Sequence, residues 1–310
     1  MMKKFFALVI AALLFMTGAQ AAEYTTTTAD NAAEKMGAPI EKFYATLPTA
    51  KGEYKSSRRP ILLEGAMNTE TEVFVRALKN PVAYRELNYL FVAGTYKNYP
   101  VVVVRTEQGM ANAAASTALA IKKFKPIAVI NQGTAGGHDG ALKIGDIVLG
   151  EKTFNVFAIK TTRTALGTGA ELTNQEMRGT YAFDETSGTF QPNKEYFPDA
   201  KLFNVANKIS DAHKNFHVTG GVIASADSWI ENLDFINFLH ETYGSSCEEM
   251  ETASVAQICQ NAGVPFLGIR VISDNAIHSQ EYKPGAAKIA QDFTLLVVED
   301  YIRDVLSIRN

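Results

Sequence analysis

The sequence predicts an α/β fold built as one domain over residues 60–310. Three observations carry that expectation. From Arg59-Pro60 onward, short apolar runs rich in β-branched residues alternate with helical patterns. The helical stretches repeat apolar residues at the 3.6 period, as Val255, Ile258, Cys259 and Ala262 do. No repeat and no break in composition divides the stretch.

The elements follow in chain order. Ile61 to Leu63 reads as a first strand. Tyr89 to Gly94 and Val101 to Arg105 read as strands joined by the Asn98-Tyr99-Pro100 turn. Gly109 to Lys123 is Ala-rich and reads as a helix. Ile127 to Asn131, Asp146 to Leu149 and Gly221 to Ser225 are glycine-bounded strands. Asn232 to Thr242 reads as a helix through Leu233, Ile236 and Leu239. Glu251 to Ala262 is a helix stopped by Gly263 and Pro265. Val264 to Ile272 is a buried strand, and Ala286 to Ile308 a long closing helix. Between Phe154 and Pro198 the periodicity fades. A Thr-, Gly- and Asn-rich excursion of this length is expected beside a site or an interface.

Composition narrows the function classes. Of 310 residues 46% are hydrophobic and 20% charged, with a formal net charge of −3, which excludes a disordered chain. The near-neutral balance argues against a nucleic-acid partner. Residues 1–21 have the pattern of a secretory leader. Lys3 and Lys4 precede the apolar run Phe5 to Met16, and Ala19-Gln20-Ala21 supplies a small-x-small cleavage site. The run is too short to span a membrane. The expectation is an exported, periplasmic protein with no membrane attachment after cleavage. Loss of the two lysines would take its charge from −3 to −5. Residues 22–59 are polar and read as an N-terminal extension or tether, with a short helix near Ile40 to Leu47. Cys247 and Cys259 are expected to stay unpaired, because Cys259 falls on the apolar face of its helix.

Six segments could carry chemistry. Gly65-Ala66-Met67-Asn68-Thr69-Glu70 follows the first strand, although an acidic first helical turn alone would account for Glu70. Thr106 to Ala114 passes from a strand through Gly109 into a helix of small residues, which close packing also explains. Asn131-Gln132-Gly133-Thr134-Ala135-Gly136-Gly137 places three glycines behind a buried strand. They demand unusual backbone angles or close approach, and the spacing fits neither a P-loop nor a dinucleotide fingerprint. Ser225 to Ile230 holds Trp229, the chain's only tryptophan. Glu248 to Glu251 leads into a helix whose apolar stripe Glu251 shares, and a carboxylate there needs a partner or a task. Arg270 to Asn275 closes the most apolar strand, and ligands of open α/β sheets bind beyond strand carboxyl ends. None of the five histidines is spaced as a zinc motif, and no Gly-x-Ser-x-Gly elbow is present.

Taken in order, these segments resemble the nucleoside phosphorylase/nucleosidase superfamily of the purine and uridine phosphorylase type. Within it they are most similar to the methylthioadenosine/S-adenosylhomocysteine nucleosidase branch. Gly145-Asp146-Ile147-Val148 and Glu249-Met250-Glu251-Thr252-Ala253 belong to the match, which spans about residues 60–305. The resemblance implies a three-layer α/β/α domain with a central mixed, partly barrel-like sheet, usually a homodimer. It implies no cofactor and a purine nucleoside as the small-molecule partner. By position Asp274 would protonate purine N7 with Ser273 supporting it, and Glu70 would activate water. Glu251 would hold the ribose hydroxyls with Met250 alongside. Trp229 would stack on the base, and the Ile230 backbone would read its edge. Thr106 would lie near the ribose, and Met67 and Gly136 would line the substrate.

The chemistry suits those residue types. Glycoside cleavage commonly uses one carboxyl as acid and another to activate water. An Asp acid working near neutral pH needs a raised pKa, which burial supplies. Phosphorylase relatives place arginines where this chain has Glu70 and Ile130-Asn131, and a carboxylate repels phosphate. Hydrolysis is therefore expected. Phosphorolysis, or nucleoside binding without catalysis, are the alternatives.

Overall fold

Alternate residues of each apolar run face opposite layers in the computed structural model, which describes residues 41–213 and 215–307. The leader and residues 22–40 lie outside the described residues. In strand β1 (Ile61–Gly65), Ile61 and Leu63 face one layer and Leu62 the other. In β4 (Tyr99–Arg105), Val101 and Val103 pair with the first layer and Val102 and Val104 with the second. Strands buried on both faces in this way need helices on both sides. On the first face lie α2 (Asn68–Ala77), α4 (Ala200–Ala212) and α7 (Ala286–Asp300), through Phe74, Leu202, Ile209 and Phe293. On the second lie α3 (Met110–Phe124) and α6 (Thr252–Ala262), through Ala113, Phe124, Val255 and Cys259. Each fully buried side chain of this size contributes about 1.5–3 kcal/mol. The helix α5 (Leu233–Tyr243) caps the sheet's end through Phe235, Ile236 and Leu239.

The main sheet has nine strands. Besides β1 and β4 these are β2 (Lys79–Glu86), β3 (Tyr89–Tyr96), β5 (Ala128–Gly137), β6 (Ile147–Asn155), β11 (Val218–Ser225), β12 (Ser245–Glu249) and β13 (Phe266–Asp274). Their order is β12-β11-β6-β13-β5-β1-β4-β3-β2. The sheet is mixed: β1, β4, β5 and β13 run parallel, whereas β13 meets β6 antiparallel. The end of β5 also pairs with β12, Gly136 opposite Glu248 and Gly137 opposite Cys247. That seam closes β5, β13, β6, β11 and β12 into a barrel. Its interior holds Ala135, Val148, Ile223, Cys247 and Ile272.

Three expectations change. The strand expected to end at Asn131 runs on to Gly137, so the glycine-rich stretch is the second half of β5. Its glycines serve close approach, because none of the three has a positive φ. The segment before Glu251, which the sequence assigns to no element, is the strand β12, and it buries Glu248 and Glu249. The closing helix stops at Asp300 and continues as a π turn, Tyr301–Val305. The 154–198 excursion forms two small hairpins, β7 (Ile159–Thr161) with β8 (Gln175–Met177) and β9 (Thr180–Asp184) with β10 (Thr189–Asn193). In the described part of residues 22–59, a short helix α1 (Glu41–Ala45) buries Tyr44, whose hydroxyl shares a 2.7 Å hydrogen bond with Thr71. Cys247 and Cys259 are both free and buried, in separate clusters.

Candidate active site

The carboxyl ends of β1, β4, β5, β11, β12 and β13 gather the candidate residues at one rim. Glu70 lies in the first turn of α2, 3% exposed. Four donors fix its carboxylate. Ala66 N and Met67 N donate to Oε2 at 2.9 and 3.2 Å, and Thr134 N and Oγ1 donate to Oε1 at 2.8 and 2.9 Å. Gly133 makes this arrangement possible, because a Cβ there would stand 2.9 Å from Glu70 Oε1. Gly133→Ala is therefore expected to push the carboxylate aside and lower kcat about 10–100-fold with the melting temperature little changed. Turnover at the wild-type rate would show that Glu70 needs no such placement.

Asp274 ends β13. A bulge between Ile272 and Asp274 breaks the register there, which re-aims the carboxyl. Ser273 Oγ donates to Asp274 Oδ1 at 2.7 Å. Oδ2 lies 3.2 Å from where a Cβ on Gly136 would stand. Burial, with the nearby charge of Glu231, holds the Asp274 pKa above the ordinary Asp value. The Trp229 indole reaches the same carboxyl and packs edge-on against Tyr282 at 5.7 Å. Trp229 is itself half exposed.

A buried charge network backs the rim. Arg270, 1% exposed, is ion-paired with Glu249, donates to Asn131 Oδ1 at 2.6 Å, and stands 3.9 Å from Glu251 Oε2. Burial alone would raise the Glu249 pKa, but Arg270, Ser225 and Thr252 together hold it below the usual value. Burial and the neighbouring Glu249 push Glu251 the other way, upward. Glu251 Oε1 accepts from Gly109 N at 2.9 Å, and Gly109 takes a φ of 100° that favours glycine. Asp227 Oδ1 accepts from Met110 N at 2.6 Å, tying the Trp229 loop to the start of α3.

The structure thus brings Glu70, Asp274, Ser273, Gly136, Trp229 and Glu251 to one rim, with Met67 and Met250 partly buried beside them. Thr106 is fully buried and its hydroxyl donates to the Glu107 carbonyl at 3.1 Å. The Ile230 amide is already engaged, donating to Glu248 Oε1 at 3.1 Å. Residues that sequence reasoning did not single out complete the site: Thr134, Arg270, Glu248 and Tyr282. Burial raises the Tyr282 phenol pKa, with Glu70 and Asp274 both near enough to add to it. Thr134 and Arg270 stood inside recognised motifs, whereas Tyr282 had no pattern to reveal it.

The arrangement can offer one carboxyl with a raised pKa as acid and another fixed for water, beside the aromatic pair Trp229 and Tyr282. Residues 60–303 match the family model described as Phosphorylase superfamily. A 5'-methylthioadenosine/S-adenosylhomocysteine nucleosidase of Exiguobacterium sp. is 34% identical over 213 residues, covering 68% of this chain and 83% of that protein. Its counterpart in Geobacillus sp. is 29% identical over 248 residues, covering 77% and 97%. Among solved structures, the nucleosidase of Neisseria meningitidis in complex with methylthio-immucillin-A aligns with a TM-score of 0.64 at 24% identity, covering 78% of this chain and 100% of that one. The native futalosine hydrolase of Helicobacter pylori aligns with a TM-score of 0.63 at 24% identity, covering 78% and 98%.

Proposed function

We propose, from the premise that the chain belongs to the phosphorylase superfamily, that it hydrolyses the N-glycosidic bond of purine nucleosides. The substrates are 5'-methylthioadenosine, S-adenosylhomocysteine or related adenosine nucleosides, and the products are the free base and a ribose or thioribose. The pair of Asp274 and Glu70 at one rim is the observation that carries this reading. Burial raises the Asp274 pKa, which favours its acid form, and that form gives its proton to purine N7 as the ribosyl carbon becomes cation-like. Glu70, fixed by Thr134 and two backbone amides, takes a proton from the attacking water. Glu251 lies where ribose hydroxyls would bind. A cationic sugar favours its ionised form, so its negative charge develops as the transition state needs it. Trp229 offers a face to the base.

The arginines of the rim favour water over phosphate as the nucleophile. Arg270 is committed to Glu249 and Asn131, and Arg105 to Glu107 and Asn68. The test is a panel of methylthioadenosine, S-adenosylhomocysteine, adenosine and inosine, with and without phosphate. Base release at the same rate without phosphate is expected. Strict dependence on phosphate would turn the reading to phosphorolysis, and binding without release would turn it to a nucleoside carrier.

Export and homodimerisation belong to the same proposal. The leader pattern of residues 1–21 supports the first. The exposed edge-to-face pair Phe183–Phe190 on the β9–β10 hairpin supports a covered surface there.

A further inference from the structure

A carboxyl that the proposed chemistry does not use faces the acid. Glu248 is 5% exposed, and its Oε1 lies 3.3 Å from the same would-be Gly136 Cβ that stands 3.2 Å from Asp274 Oδ2. The two carboxyls therefore flank one point on the β5–β12 seam. Oε1 accepts from the Ile230 amide, whereas Oε2 is buried with no hydrogen-bond partner. Burial pushes the Glu248 pKa up to about 8, so the group is neutral at pH 7. With Oε1 occupied as an acceptor, the acid proton sits on Oε2. The side chain thus presents an O–H donor that nothing satisfies. Buried donors without partners are costly, so this one calls for a partner such as a water or a ligand atom.

The carboxyl that carries this proton lies beside that of Asp274, with Oε1 the oxygen on the shared point. On the reading that Asp274 meets purine N7, the neighbouring position on the base edge is the 6-substituent. The Trp229 indole now reaches Asp274. A base that takes that carboxyl displaces the indole and comes next to Glu248. A 6-amino group would face the Oε2 hydroxyl with another donor and gain little from it. A 6-oxo group would accept from it.

We propose that Glu248 reads the 6-position of the bound purine and admits 6-oxo nucleosides of the inosine and guanosine type, by donating from Oε2 to O6. The Ile230 amide then acts through Glu248, orienting it, and does not touch the base itself. This inference rests on the purine-nucleosidase reading.

The test compares kcat/KM for inosine and adenosine in the wild type, Glu248→Leu and Glu248→Gln. The wild type is expected to release base from both. Glu248→Leu lowers the inosine-to-adenosine ratio about 30-fold, because O6 is left buried without its donor. Glu248→Gln keeps that ratio within about threefold, since its amide still accepts from Ile230 and offers an N–H to O6. Hypoxanthine is also expected to inhibit the wild type in competition with adenosine, an arm that needs no variant. An unchanged ratio in Glu248→Leu overturns the proposal, as does a wild type that cleaves adenosine alone and ignores hypoxanthine. Release from neither nucleoside overturns this inference, and the nucleosidase reading falls with it only if methylthioadenosine and S-adenosylhomocysteine also release no base.

Discussion

Asp274→Asn removes purine release almost completely, lowering kcat about 10³-fold while the fold and melting temperature stay close to wild type. The asymmetry follows from the site. Asn has the shape of a neutral Asp, so Ser273 Oγ keeps an oxygen to donate to at the Oδ1 position. Burial already favours the uncharged form, so replacing it with a neutral amide relieves rather than adds desolvation cost. Only the transferable proton is lost, and without it the purine leaves as an anion. The wild type should show the same dependence in its pH profile. Because the Asp274 pKa is raised, the acid limb of activity extends to higher pH than an ordinary Asp would allow, and it is lost as pH rises through the folded value. The Asn variant's residual activity should lack that limb. Near-wild-type turnover by the variant would remove Asp274 from the role of acid.

Arg270→Met destabilises the protein by about 3–5 kcal/mol, the loss expected when one partner of a buried ion pair is removed. The substitution keeps volume but leaves Glu249 and the Asn131 Oδ1 without their cation, in a place where Arg270 is 1% exposed. Its pH dependence has a definite sign. The Glu249 pKa is held low in the folded protein, so the pair's contribution is present above the ordinary Glu value and lost as pH falls through the lower, folded one. The variant's deficit, measured by urea unfolding, should therefore shrink in acid. A double variant with Glu249→Leu should recover part of the loss, because no lone charge is then buried. A single variant as stable as wild type would show that the pair is dispensable.

The strands were legible wherever burial on both faces forced unbroken apolar runs, as in Ile61–Leu63, Val101–Val104 and Phe266–Ile272. Glu70 and Asp274 were legible because both follow such runs at the carboxyl end. Residues satisfied by distant partners were not. Ser245–Glu249 has no apolar run that marks a strand, yet β12 buries Glu249 against Arg270 and Glu248 against Ile230. Gly133 and Gly136 fell beyond the expected strand because nothing nearby reveals that Glu70, Asp274 and Glu248 will crowd it. Tyr282 lies in irregular chain after β13, where no periodicity points inward.

The β5–β12 seam also carries a kinetic consequence. Its partners, Gly136–Gly137 and Cys247–Glu248, lie about 110 residues apart, so closing the barrel joins segments distant in the chain. Of these two glycines, Gly136 makes room for Asp274 and Glu248, and Gly137 for Asn275. A chain that has formed its helices and its outer strands, but has not closed this ring, has no reaction centre. Turnover thus reports the completed topology rather than the amount of secondary structure, and a partly folded molecule cannot consume nucleoside on its way to the native state.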